Sequence, residues 1–205
     1  RPWFAGGTIT VASVQGDKYY LAPGEAAYEE GALNYLGLPA VKIGLEHLHS
    51  IGLDVIHRRV ECLTGWLLEN LLALGEGNGK AGIKLYGPAT SERRGGTITL
   101  NFYDRNGRAI DHRLVEERAN QANISLRTGC FCNPGAGEVA LEISKPELVA
   151  CFNQPGDRLT LDEFRVCIAG KNSGAVRISV GLASNFKDVL RFIQFARELV
   201  SQAVI

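Results

Sequence analysis

Methionine is absent from all 205 residues. A chain that begins where its gene begins starts with one, so the expectation is a fragment or processed chain with further sequence upstream of Arg1. Net charge is absent as well: 22 Lys and Arg balance 22 Asp and Glu. Nucleic-acid binders carry a basic stripe, and its absence argues against that class of partner. No apolar run reaches the roughly 18 residues of a membrane-spanning helix, so a membrane partner is not expected. A secretory leader is not expected either, because Arg1 to Gly7 has no apolar core after its basic start. Repeats and low-complexity segments are also missing. Hydrophobic residues make up 45% and charged residues 21%, as in ordinary globular proteins. Cysteine is sparse: Cys62, Cys130, Cys132, Cys151 and Cys167. The odd count and the spacing do not describe a secreted disulfide scaffold. The reading is a reducing compartment, the cytoplasm.

The remaining pattern interleaves strands and helices. Residues 7–12 and 18–21 alternate with β-branched and aromatic residues and read as strands. From Pro39 to Leu74 apolar residues recur at three- and four-residue steps, which predicts two helices broken at Gly52. The glycine-rich run 75–79 marks the expected boundary. Beyond it, strands are expected at 83–86, 97–103, 124–127 and 175–180. Helices are expected at 111–122, within 138–154, at 160–168 and at 186–200, with 128–137 as a loop. This order fits an α/β chain whose second part, 76–205, is a small mixed or antiparallel sheet with helices on one face.

The chemically informative segment is Leu126-Arg127-Thr128-Gly129-Cys130-Phe131-Cys132-Asn133-Pro134-Gly135. Two cysteines one residue apart project the same way from a glycine-rich loop. Arg127 places a fixed positive charge near them, and a nearby cation favours the nucleophilic thiolate. Three plainer readings stand beside a reactive thiol. One is a zinc site, for which His112 and Cys151 are the other nearby ligand candidates but no second ligand pair is present. Another is a pair of structural thiols. The third is a redox pair, although the usual redox spacing is Cys-x-x-Cys.

Four segments, in order, carry a family resemblance. Arg127 to Ala136 resembles the active-site loop of molybdenum cofactor sulfurases, and its Arg-Thr-Gly-x-x-Cys form resembles that of cysteine desulfurases. Trp3 to Thr8 resembles the Gly-Gly-Thr segment of the same class V aminotransferase fold. Tyr28 to Leu36 resembles another of its stretches, with Ala32 where threonine is usual. Val176 to Gly181 resembles the strand bearing the arginine for the substrate carboxylate.

The resemblance implies the C-terminal part of a pyridoxal-phosphate transferase of the aspartate aminotransferase-like fold, type I. Residues 1–75 would close the large cofactor domain and its linker helices, and 76–205 would form the small domain. Cys132 would take sulfur from L-cysteine as a persulfide, leaving alanine, with Cys130 as a possible second thiol. Arg177 would hold the substrate carboxylate, and Arg127 would bind substrate or anchor the loop. Gly6, Gly7 and Thr8 would touch the cofactor phosphate of the partner subunit in a homodimer. The Schiff-base lysine would lie upstream of Arg1, so this stretch alone is expected to be inactive. The acceptor would be molybdenum cofactor or an acceptor protein. Two other readings are kept: a class V transaminase or epimerase with a non-catalytic loop cysteine, and a metal-binding module using Cys130, Cys132 and His112.

Overall fold

In a computed structural model of the chain, the described residues are 6–29, 31, 33–75, 81–153, 158–168 and 170–201. Trp3, Phe4, Ala5, Glu30 and Ala32 of the matching segments, and 76–79 of the glycine run, lie outside them. The chain divides by its contacts into two units, 1–52 and 53–205.

In the first unit, β1 (Ile9–Ser13) and β2 (Lys18–Leu21) pair antiparallel, with a register shift between Ile9 and Val11. A short 3-10 turn spans Gly24–Tyr28. The helix α1 (Leu38–Ile51) starts with Pro39 in its first turn, where the missing N–H costs nothing. It ends at Gly52, whose φ of 93° favours glycine. None of its residues is buried.

The second unit opens with α2 (Leu53–Leu72). Its early residues Leu53 and Val55 are exposed, whereas Leu63, Leu67, Leu68 and Leu71 are buried. The stripe read from the sequence therefore packs only over its second half, which ties α2 to the sheet that follows. That sheet has the order β3-β4-β6-β5, every neighbour antiparallel. Its strands are β3 (Gly82–Tyr86), β4 (Thr97–Tyr103), β5 (Arg127–Gly129) and β6 (Ala175–Ser179). Strand alternation turns Ile98, Leu100, Phe102, Val176 and Ile178 to one face, all in the core. Against them lies the stripe Val189, Phe192, Ile193, Ala196, Leu199 and Val200 of α7 (Phe186–Ser201), at helical spacing. Each large side chain so buried contributes about 1.5–3 kcal/mol. The opposite face carries Thr99, Asn101 and Arg177.

Four helices connect the strands: α3 (His112–Gln121), α4 (Pro134–Ala140), α5 (Lys145–Phe152) and α6 (Leu161–Cys167). Capping explains several starts. Asp111 accepts from the Arg113 N–H, and Ser144 with Glu147 and Thr160 with Glu163 form capping boxes.

Three expectations are corrected. β5 runs Arg127–Gly129 rather than 124–127, pairing with Arg177, Val176 and Ala175 of β6, while 124–126 stay outside the ladder although β6 continues to Ser179. α4 begins inside the expected loop, where Asn133 accepts from the Ala136 N–H and Pro134 takes the first helical position. Cys151 and Cys167 form a disulfide joining α5 to α6, beside the packed rings of Phe152 and Phe164. Denaturing the protein without reductant and alkylating it is expected to label Cys62, Cys130 and Cys132 alone. Labelling of all five cysteines would contradict the pairing.

Candidate functional site

Sheet register sets the site. Thr99 on β4 lies opposite Arg177 on β6, and Arg177 lies opposite Arg127 on β5. Thr99, Arg177 and Arg127 thus form one row across three strands. Both arginines are exposed, and among the described residues neither has an ion-pair partner. Like charges placed directly opposite repel, so the row is arranged to receive an anion. A cavity of about 310 Å³ opens here, lined by both arginines, Thr99, Thr128, Cys130 and Cys132, among others.

The cysteine loop leaves β5 at Gly129, whose φ of 133° favours glycine. Cys130 and Cys132 are exposed, while Phe131 between them turns inward. Its ring meets Tyr86 edge-on, at 5.6 Å between centroids and 90° between planes. Its Cβ lies 3.2 Å from where a side chain on Gly137 of α4 would begin. Thr128 on β5 donates a hydrogen bond to Glu116 on α3.

Beneath the loop lies a buried polar layer. Asn101 is wholly buried, and its amide donates to the Tyr86 hydroxyl at 2.9 Å and to the Gly174 carbonyl at 3.0 Å. Burial pushes the Tyr86 phenol up to about 12, against the opposing hydrogen bond from Asn101, so it keeps its proton. Gly174 approaches β5 closely: a Cβ there would sit 2.6 Å from the Gly129 oxygen and 3.0 Å from the His112 ring.

His112, 5% exposed, packs under this junction. Burial disfavours its charged form and lowers its pKa below the usual value. Asp111 pulls the other way, as does Glu116 more weakly, while Arg113 and Arg165 reinforce the depression. Burial alone would raise the Asp111 carboxyl, but hydrogen bonds from Arg113 and the charge of Arg165 bring it below its usual value. A histidine with a depressed folded pKa contributes stability above its unfolded value of about 6.5. That contribution is lost as pH falls through the folded pKa. The urea midpoint is therefore expected to drop between pH 7.5 and pH 5, and His112→Gln to flatten that drop. An equal drop in the variant would contradict the assignment.

The structure thus brings together Cys130, Cys132, Arg127 and Arg177. Thr8, in the other unit, is 3% exposed, and its hydroxyl has no hydrogen-bond partner among the described residues. Gly6 and Gly7 precede it, and Gly6 has open space where a side chain would stand. Among the described residues no three His, Cys, Asp or Glu side chains converge, and Cys151 is held in its disulfide. Sequence reasoning missed Tyr86, Asn101 and Gly174. The one readable signal was an asparagine inside the strand Thr97–Tyr103, on the same face as Thr99.

Comparison with known proteins gives the family and the fold. Residues 1–192 match the family profile described as aminotransferase class-V. The molybdenum cofactor sulfurase of Solanum lycopersicum is 34% identical over 196 residues, covering 95% of this chain and 24% of that protein. The protein of that name from Homo sapiens is 32% identical over 206 residues, covering 95% and 22%. The chain therefore spans about a quarter of the length of these curated relatives. The apo cysteine desulfurase of Thermococcus onnurineus NA1 aligns with a TM-score of 0.55 at 21% identity, over 97% of this chain and 39% of that one. The cysteine desulfurase CsdA of Escherichia coli, in its S-sulfonic acid form, gives 0.53 at 17%, over 97% and 38%. The expected α/β architecture is thus part of the type I fold of these enzymes. With its profile match running through all but the last residues, the chain belongs to the class-V aminotransferase family.

Proposed function

We propose that the chain is part of a pyridoxal-phosphate sulfurtransferase that takes sulfur from L-cysteine onto Cys132 and releases alanine. The observation carrying this reading is one cavity lined by an exposed cysteine pair and two arginines without ion-pair partners among the described residues. An amino acid brings a carboxylate to such arginines, and a guanidinium fork pairs with it bidentately. Arg177 takes that role, with Arg127 beside it.

The residues present fit the cofactor's phosphate. Thr8 offers a buried hydroxyl with no partner among the described residues, next to the glycines Gly6 and Gly7, and hydroxyls and backbone amides around glycine suit phosphate oxygens. When bound, pyridoxal phosphate supplies the electron sink that allows the C–S bond of cysteine to break. This chain's own part is nucleophilic. The Cys132 thiolate attacks the substrate sulfur and forms an S–S bond. The C–S bond breaks, its electron pair stays with carbon, and protonation there leaves alanine. Cys130, which shares the cavity wall, is the second thiol that would receive the sulfur in this reading.

In this reading residues 1–75 close the large cofactor domain and supply its linker helices, 76–205 form the small domain, and the enzyme is a homodimer. The Schiff-base lysine lies upstream, so this stretch alone is inactive. The sulfur acceptor is molybdenum cofactor, which the curated relatives' names favour, or an acceptor protein. Replacing Cys132 with serine in the cofactor-loaded full-length enzyme is expected to lower alanine formation from cysteine by more than about a thousandfold. A variant retaining most of the rate would sink the assignment.

A further inference from the structure

The proposed chemistry leaves Phe131 without a task, although it stands between the two cysteines. A reactive loop gains from an exposed residue there only if nothing must hold the loop in place. Here the ring is instead turned inward and caught on two sides. On one side is Tyr86, edge-on at 5.6 Å. On the other is Gly137, the one buried residue of α4, where any side chain would crowd the Phe131 Cβ at 3.2 Å.

Tyr86 is itself fixed. Its hydroxyl accepts from Asn101, and the same Asn101 amide donates to the Gly174 carbonyl. Gly174 immediately precedes β6, which carries Arg177 three residues on. Lys84, two residues before Tyr86 on β3, lies 5.8 Å from the Tyr86 ring centroid and pairs with Glu142, just past α4. The cysteine loop and the carboxylate-binding strand are therefore tied to the same tyrosine, one through an aromatic contact and the other through a buried amide. Edge-to-face pairs have a preferred geometry, and a buried amide bridge cannot exchange its partners for water.

Resting on the sulfur-transfer reading, we propose that Phe131 and Tyr86 are positioning residues. They pin the cysteine loop at its midpoint and hold Cys132 at a fixed distance from the carboxylate site on Arg177. Tyr86 lies outside the cavity lining, and Phe131 forms part of its wall between the two thiols. Their effect is on the approach of the Cys132 sulfur, and a small misplacement of a nucleophile costs rate steeply.

The test combines backbone hydrogen exchange with kinetics on the cofactor-loaded full-length enzyme. Phe131→Ala and Tyr86→Ala are each expected to speed exchange at the amides of residues 130–133 by about tenfold. Amides of β4 should be unchanged, which separates loop release from general destabilisation. The double variant should exchange no faster than either single one, because both remove the same contact. In each, kcat with cysteine should fall about tenfold or more while KM stays within about twofold, since Arg177 is untouched. Tyr86→Phe keeps the ring against Phe131 and should keep loop protection near that of the unsubstituted enzyme, while loss of the hydroxyl bond to Asn101 should leave kcat between those of Tyr86→Ala and the unsubstituted enzyme. Unchanged exchange in the single variants, additive effects in the double variant, or kcat unaltered despite a released loop would each overturn the proposal. Exchange and its non-additivity do not depend on turnover. A failure of the sulfur-transfer reading would therefore show as absent alanine in the unsubstituted enzyme, with the anchor still measurable.

Discussion

Gly174→Ala is expected to destabilise the second unit by about 3 kcal/mol, the upper range for overpacking a filled interior. The added methyl would stand 2.6 Å from the Gly129 oxygen, 2.7 Å from its carbonyl carbon and 3.0 Å from the His112 ring. Two of these three atoms are backbone and cannot rotate away. β5 must then part from β6 at the Gly129–Ala175 pair, one residue before Cys130. The Asn101 bond to the Gly174 carbonyl loosens with it. Gly135→Ala is the control. It lies in α4 near the same loop, and its new methyl would meet nothing closer than the Asn133 side chain at 3.7 Å. Helical preference alone should then leave that variant unchanged or up to about 1 kcal/mol more stable. Urea midpoints of the two variants check the pair, and equal midpoints would contradict the close approach.

Arg177→Gln should act in the opposite way, on activity and not on the fold. The guanidinium is exposed and faces Arg127 across the strand pair. Removing one of two opposed like charges relieves a repulsion, so stability should hold or rise by a few tenths of a kcal/mol. Substrate recognition should suffer, because a hydrogen bond to a charged group contributes about 1.5–3 kcal/mol and a bidentate pair contributes two. The expected loss in kcat/KM for cysteine is roughly 100-fold, mostly through KM. An unchanged KM would remove Arg177 from the carboxylate site. A large loss of stability would give it a structural role that its exposure argues against.

Some of this was legible along the chain and some was not. The Thr97–Tyr103 strand and the stripe of α7 follow from period alone, because each buries one face against the other. β5 starts three residues later than expected: 124–126 alternate like a strand, but pairing with β6 begins only at Arg127, and local alternation does not encode register. α4 was hidden by the habit of reading Pro and Gly as loop, though Asn133 followed by Pro134 is a helix-start signal. The Cys151–Cys167 bond could not be read, since a separation of 16 residues does not encode pairing. At the site, Cys132, Arg127 and Arg177 came from family resemblance, and spacing alone would not have set two arginines face to face. The Asn101 bridge joins residues 73 apart in sequence and exists only once β3, β4 and β6 are assembled. Long-range contacts of that kind leave no local pattern.

The central claim is that Cys132 carries the sulfur, and peptide mass spectrometry tests it most directly. The cofactor-loaded full-length enzyme is exposed briefly to L-cysteine, and fragment spectra separate Cys130 from Cys132. The account predicts one added sulfur atom on Cys132, formed together with alanine. Cysteine bound and turned over with no sulfur added to either loop thiol would contradict it, and would point to a transaminase or epimerase of the same family.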